Sequence, residues 1–314
     1  MNLLKKIIPI LSALFALAIQ IFVPKSSLHP VSKPYFTYIL LGILLICLIL
    51  FALSFRSRKI HEQLVHRGYF IGGAVLFFNI LNLLTAKSAV LPILYFPSLD
   101  RVFGVMFEQT DVLIKCILYS LRLLGLGIFF GALIGVVTGI CLGFSKTFAY
   151  WINPLIRILG PIPSTAWIPI VLIIFPTAVS ASAFLVALAV WFPTTLMTSS
   201  GISNIQNSFF EVASTLGAKR FYQIFKVGIP AAMPNMFLGL FNGICSSFIT
   251  LVTAEMIGAK YGIGWYINWQ KEMLSYANVY AGLIIIAVLC SVLITLLFKV
   301  RDKVLIWQKG VIKW

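Results

Sequence analysis

The residue types best suited to chemistry sit closest together in the stretch HEQLVH, with His61, Glu62 and His66. It approaches the H-E-x-x-H pattern, in which two histidines on one helix face hold zinc and the glutamate acts as base. Here the histidines are five apart rather than four. Five residues turn a helix by about 500°, which leaves the two rings about 140° apart. One regular helix cannot offer both to a metal, and the stretch reads as part of a basic loop. The five cysteines, Cys47, Cys116, Cys141, Cys245 and Cys290, form no C-x-x-C pair, and four of them fall inside apolar runs. They read as small buried hydrophobes, not as a disulfide frame or a zinc site. No G-x-S-x-G and no G-x-x-x-x-G-K-[ST] occurs, and the dipeptide Gly-Lys is absent. If ATP drives this protein, another chain binds it. The eight acidic residues are scattered. The expectation is therefore no catalytic residue, no metal, no cofactor and no enzyme activity in this chain.

The elements that carry the remaining polar residues are made for lipid. The chain has 314 residues, 61% hydrophobic and 10% charged, against about 45–50% and about 25% in soluble domains. The expected fold class is an all-α membrane protein, because a bilayer offers the backbone no hydrogen-bond partners. Apolar runs long enough to span fall at about 7–24, 36–55, 69–86, 118–143, 158–176, 179–198, 229–252 and 278–298, giving a polytopic bundle of about eight transmembrane helices. The N-terminus mimics a signal peptide but lacks a small-residue cleavage site, so it reads as a retained span. The net charge of +16 reads as topology, not as nucleic-acid binding. With the N-terminus inside, the inner segments hold Lys5, Lys6, Arg56, Arg58, Lys59, Arg67, Lys146, Arg157, Lys219, Arg220, Lys226, Lys299, Arg301, Lys303, Lys309 and Lys313, sixteen in all. The outer ones hold seven: Lys25, Lys33, Lys87, Arg101, Lys115, Lys260 and Lys271. Both termini are thus expected in the cytoplasm. The stretch 87–117, with Pro92, Pro97 and an amphipathic segment, is expected along the outer interface.

Three spans carry patterns of their own. The fourth has Gly127, Gly131, Gly135, Gly139 and Gly143, a flat groove for a neighbouring backbone, either within one subunit or at a dimer contact. The fifth holds Pro154, Pro161, Pro163, Pro169 and Pro176. Such a broken helix survives at depth beside protein or a water-lined cavity; the other reading is a short helix entered through an interfacial turn. The seventh has Asn235, Gly239, Asn242, Ser246, Thr250 and Thr253 on one face. That stripe either lines a pathway, together with Pro163, or makes hydrogen bonds between helices. Glu255, just beyond, is expected as an interfacial carboxylate.

The polar stretch SFFEVASTLGAKRFYQIFKVGIP, 208–230, separates the sixth and seventh spans on the expected cytoplasmic side. Ser208 and Glu211 have the spacing of a capping box, and Gly217 is a helix stop. Phe209, Val212, Ala213 and Leu216 share one apolar face. A second short helix is expected from Lys219 to Val227, with Pro230 in the first turn of the next span. The apolar face must bury against lipid or a partner groove.

Glu211, Val212, Ala213, Gly217, Val227, Ile229 and Pro230 follow a spacing that resembles the E-A-A-x3-G-x9-I-x-L-P signature of inner-membrane subunits of ATP-binding-cassette importers. Val212, Val227 and Ile229 replace Ala, Ile and Leu, apolar for apolar. The stretches LYSLRLLGLGIFFGALIGVVTGICLG, INPLIRILGPIPSTAWIPI and VTAEMIGAKYGIGWYI look like the nitrate, sulfonate and taurine branch. The likeness covers about 94–314. It implies a type I importer permease at 67–314, with a core at about 118–298, preceded by a two-helix extension at 1–66 that has no counterpart in the pattern. It further implies a homodimeric pore in the bacterial inner membrane, two cytoplasmic ATPase subunits and an extracytoplasmic substrate-binding protein. The stretch 208–230 would couple to the ATPases, and the solute would be a small organic or inorganic anion. An ion-gradient-driven secondary transporter would explain the spans but not the glycine-broken loop. A membrane enzyme would need a polar cluster at one membrane face, and a scaffold would need no pathway.

Overall fold

The computed structural model describes residues 2–24, 33–88 and 90–307. Lys25, Lys309 and Lys313, counted in the topology argument, lie outside the described residues. Every element among the described residues is helical, so the all-α expectation holds. Seven helices are long and apolar enough to cross a bilayer, or eight if one bent pair forms a single span. The chain divides into two compact units, one of Met1–Asp111 with Trp269–Ala281, the other of Val112–Asn268 with Gly282–Trp314.

The first unit contains α1 (Asn2–Phe22), α2 (Tyr35–Leu53), α3 (Arg58–Asn82), a π-helical turn at Leu83–Lys87 and α4 (Leu99–Glu108). Its core is Ala13, Ala16, Leu17, Phe36, Leu40 and Val75, with Leu99 and Phe103 against it. Gly68 and Gly72 bring α3 close to α1: a Cβ at Gly68 would lie 2.0 Å from the Lys5 carbonyl oxygen. The basic stretch expected as a loop instead forms the first turns of α3. Nothing in Arg58–Gly68 breaks a helix, and Arg58 and Glu62 pair at i,i+4 across 3.1 Å. His61 and His66 therefore share one helix at the spacing that keeps them apart. Among the described residues no three metal-ligating side chains gather.

The second unit is built on α5 (Thr110–Phe144), α6 (Lys146–Leu159), α7 (Ile168–Ile174), α8 (Ala178–Ser203), α9 (Asn207–Thr215), α10 (Arg220–Tyr222), α11 (Ile229–Gly258), α12 (Ile263–Glu272) and α13 (Tyr276–Val304), the last two of which also contribute residues to the first unit. The helix that carries the fourth apolar run begins at 110, ahead of the run itself. The residues 110–117, expected along the interface, are the first turns of α5, whose Leu113 and Cys116 are buried. At 35 residues α5 is about 52 Å long, more than the roughly 30 Å hydrocarbon core requires. The amphipathic expectation in that region is met by α4 alone.

α8 lies between two glycine faces. A Cβ on Gly131 would sit 2.5 Å from the Ala187 carbonyl oxygen, and one on Gly139 would sit 2.5 Å from Thr198 Cβ. From the other side, Gly239 and Gly243 of α11 meet Thr194 and Val190 at 3.0 and 3.1 Å from their would-be Cβ atoms. Small residues let backbones approach where lipid gives no hydrophobic force between helices. Leu123, Leu124, Val186, Ile244, Phe248 and Leu251 fill the space beside these contacts.

The fifth span is not one rod. α6 ends at Leu159, and after the turn at 160–163 a 3-10 turn (Ser164–Trp167) leads into α7, with an 87° bend between the two halves. Pro161 and Pro163 cannot donate to a helix ladder, so the break falls there. Pro169 is tolerated at the start of α7, where its missing N–H has no partner to lose. At seven residues, α7 rises only about 10 Å.

Candidate functional site

Two features of the second unit could do work: a knob between α8 and α11, and a cavity under the bent pair. The knob begins with α9. The capping box expected at Ser208 does not form. α9 starts two residues earlier than that cap requires, with Gln206 as N-cap and no side-chain cap bond. The end of α9 does form as expected, and its geometry is specific. Gly217 has φ +81°. The Ala218 N–H donates to the Ala213 carbonyl at 2.9 Å, and the Gly217 N–H donates to the Ser214 carbonyl at 2.9 Å. These are the two bonds of a Schellman motif, which needs a left-handed residue at its corner.

The second short helix differs from expectation. Only α10 is α-helical, and a π-helical turn (Gln223–Gly228) runs on into α11 without a gap. Val227 lies in that π turn, and Ile229 and Pro230 open α11. A wider π turn lies where Pro230 leaves the Lys226 carbonyl without its α-helical donor. Ile229 packs beside Ile202, Ala232 and Met236, so the C-terminal part of the motif anchors the knob.

The knob is fastened to its own unit. Gln223 Nε2 donates to Ser214 Oγ at 2.8 Å and to the Ala218 carbonyl at 3.0 Å. Arg220 reaches the Phe144 carbonyl at 3.4 Å. Phe144 meets Phe210 edge to face at 6.3 Å. Three large apolar side chains of the knob are left outward among its polar ones: Phe209, Val212 and Leu216, 55%, 59% and 82% exposed. Glu211 and Gly217 are exposed beside them, and Ala213 is half-buried.

The cavity, about 410 Å³, is lined by Pro163, Ser164, Trp167, Trp191, Ser246 and Thr250, among others. The Ser164 and Thr250 hydroxyls lie 2.6 Å apart. Of the stripe on α11, the structure brings Ser246 and Thr250 to this cavity with Pro163. It does not bring Asn235, which packs on Gly201, nor Thr253, whose hydroxyl donates to the Ile249 carbonyl at 2.9 Å. Asn242 is half-buried and does not line the cavity. Crossing helices give one face different neighbours along its length, so a single stripe meets α8 first and the bent pair later. Gly127, Gly131, Gly135 and Gly139 all face α8 of the same chain.

Glu255 is no exposed carboxylate. It is fully buried, accepts from Ser120 Oγ at 2.7 Å and accepts from the Gly264 N–H at 2.8 Å. Ser120 also accepts from the Ile263 N–H at 3.0 Å. The carboxylate thus satisfies the first turn of α12, where an anion is favoured. Gly262, at φ +130°, has no Cβ to strike the carboxylate, which would lie 2.4 Å away. Neither Ser120 nor this role was legible, because the partners are 135 residues apart.

A long-helix bundle with a glycine-packed core, a bent helix pair over a cavity and an exposed apolar knob between two spans defines the membrane subunit of a transporter. The chain belongs to the family described as the inner membrane component of binding-protein-dependent transport systems, which matches residues 127–305. Among curated relatives it is similar to a Bacillus subtilis protein named provisionally as an aliphatic sulfonates transport permease, 32% identical over 59% of this chain and 67% of that one. It is also similar to the taurine transport system permease of Escherichia coli, 31% identical over 55% of this chain and 63% of that one. A nitrate import permease of Synechococcus elongatus is 32% identical over 54% of this chain and 63% of that one. The chain thus spans about two thirds of the length of these relatives. Among solved structures, an inward-facing MetNI methionine ABC transporter chain shares the fold, with a TM-score of 0.55, 18% identity, and coverage of 63% of this chain and 98% of that one.

Proposed function

We propose that the chain is the permease subunit of an ATP-driven importer for a small solute, working as a homodimer in the inner membrane of a bacterium. In this reading both termini face the cytoplasm. The permease proper is 67–314, with a core at about 118–298, and 1–66 is an extension. The outward apolar residues of the knob seat in a groove on each of two cytoplasmic ATPase subunits, and an extracytoplasmic binding protein delivers the solute. The relatives' names support a small anion of the sulfonate, taurine or nitrate type. The chain itself would carry no hydrolytic chemistry.

One observation carries this reading. Phe209, Val212 and Leu216 are held outward on a knob pinned by two hydrogen bonds of Gln223 and a glycine corner. Pinning a loop with its apolar side bare is costly unless a partner covers it. Each such side chain contributes about 1.5–3 kcal/mol when buried. Within this scheme the cavity at Pro163, Ser246 and Thr250 borders the solute pathway.

The test is co-purification with the cognate cassette ATPase and measurement of solute-stimulated ATP hydrolysis. Leu216→Asp should weaken ATPase association roughly 10- to 100-fold, and Ala213→Asp should abolish uptake, with both proteins still in the membrane. Uptake by the wild-type chain alone in liposomes, without an ATPase, would overturn the reading.

A further inference from the structure

The helices α1 to α3, which lie outside the family match, hold a cleft of about 840 Å³ where α2 gives way to α3. Its described lining includes Lys5, Arg56, Arg58, His61 and His66, with Tyr69 on one wall and Glu62 the one carboxylate. Three cations, Lys5, Arg56 and Arg58, thus face one anion. Glu62 is engaged by Arg58, but both side chains are largely exposed, 63% and 93%, so that pair is weak and yields readily to a stronger anion.

The cleft is built, not incidental. Gly68 lies against the Lys5 carbonyl, which clamps the start of α1 to α3 and delivers the Lys5 side chain to the same opening. Lys5 Nζ stands 5.6 Å from the centre of the Tyr69 ring. Lys6 turns the other way: it donates to Ser54 Oγ at 3.0 Å and lies 5.1 Å over the Phe55 ring. Ser54 in turn donates to the Phe51 carbonyl at 2.7 Å, so the 54–57 turn is fixed. Ser57, the N-cap of α3, makes no side-chain cap bond. The 25-residue helix α3 begins at Arg58, beside these cations, and the partial positive charge of its first turn adds to theirs.

We propose that this cleft binds a phosphate-bearing anion at the membrane surface. Arginine forks match the oxygens of a phosphate ester, and several separated donors suit its tetrahedral spread. The cleft sits where the apolar run of α2 ends, the depth at which lipid phosphates lie. A lipid headgroup and a soluble phosphate ester share this chemistry.

The test uses the purified full-length chain in neutral detergent, with native mass spectrometry of retained lipid. Dioleoyl phosphatidylglycerol should be retained at least about tenfold over dioleoyl phosphatidylcholine, since each basic residue near the surface contributes a factor of about five. Lys5→Gln/Arg56→Gln/Arg58→Gln should lower retention to the phosphatidylcholine level, while Lys299→Gln/Lys303→Gln should leave it unchanged. If the triple variant does not fold, Arg56→Gln alone should lose about fivefold. Displacement of phosphatidylglycerol by millimolar glycerol 1-phosphate identifies a soluble ester as the ligand; resistance to it identifies the lipid. Either supports the site. Equal retention of the two lipids by the wild type, or undiminished retention in folded variants, overturns it.

Discussion

Replacing Gly217 by alanine tests the knob at its most sensitive point. Gly217 sits at φ +81°, and a Cβ there would meet nothing within 4 Å. The substitution therefore adds no clash, only backbone strain of about 1–2 kcal/mol for an L-residue in the left-handed region. Opposing that strain are the two hydrogen bonds of the corner, Ala218 to Ala213 and Gly217 to Ser214, together worth about 1–3 kcal/mol net. The two quantities are of one size, so the alanine corner should be open for a large share of the time. An open corner no longer holds Leu216 in place, and uptake, which follows the closed fraction, should fall by about two- to sixfold. Asparagine tolerates the left-handed region better, so Gly217→Asn should restore much of the activity. The assays are solute-driven ATP hydrolysis in proteoliposomes with the cassette ATPase, and amide exchange at Ala218 as the structural readout. Identical behaviour of the alanine and asparagine variants, or unchanged exchange at Ala218 in the alanine variant, would refute the reasoning.

Gly131→Ala should destabilise the bundle by about 1–3 kcal/mol, because its Cβ would stand 2.5 Å from a carbonyl oxygen of α8. Gly125→Ala, with nothing within 4 Å, should not, and thermal unfolding in detergent separates the two. Ser120→Ala removes the hydroxyl that donates to Glu255 and accepts from the Ile263 N–H; the loss should be about 1–3 kcal/mol, with faster amide exchange at Ile263 and Gly264. If the cavity borders the pathway, the thiol of Ser246→Cys should be labelled by a water-soluble reagent, more slowly in the presence of the transported solute.

Some of this was legible because it is local. Glycine at every fourth position forces a flat helix face whatever lies opposite, and Gly217 after an apolar-faced segment forces a corner. What was misread was also local in form but decided by context. The Ser208 and Glu211 spacing suits a cap, yet Gln206 already turns the chain and α9 starts ahead of it. The basic stretch at 56–67 looks like a loop by charge, yet helix propensity and the contact of Gly68 with α1 make it helix.

Hydrophobic run length and the cost of unpaired backbone in lipid let the sequence determine the helical class and the corner at Gly217, since each needs only neighbouring residues. Tertiary structure alone decided that α8 is the helix gripped from both sides, that the α11 stripe divides between α8 and a cavity, and that Glu255 is a buried partner of Ser120 and Gly264. Those outcomes depend on how helices cross, and crossing joins residues whose separation in the chain carries no local signal.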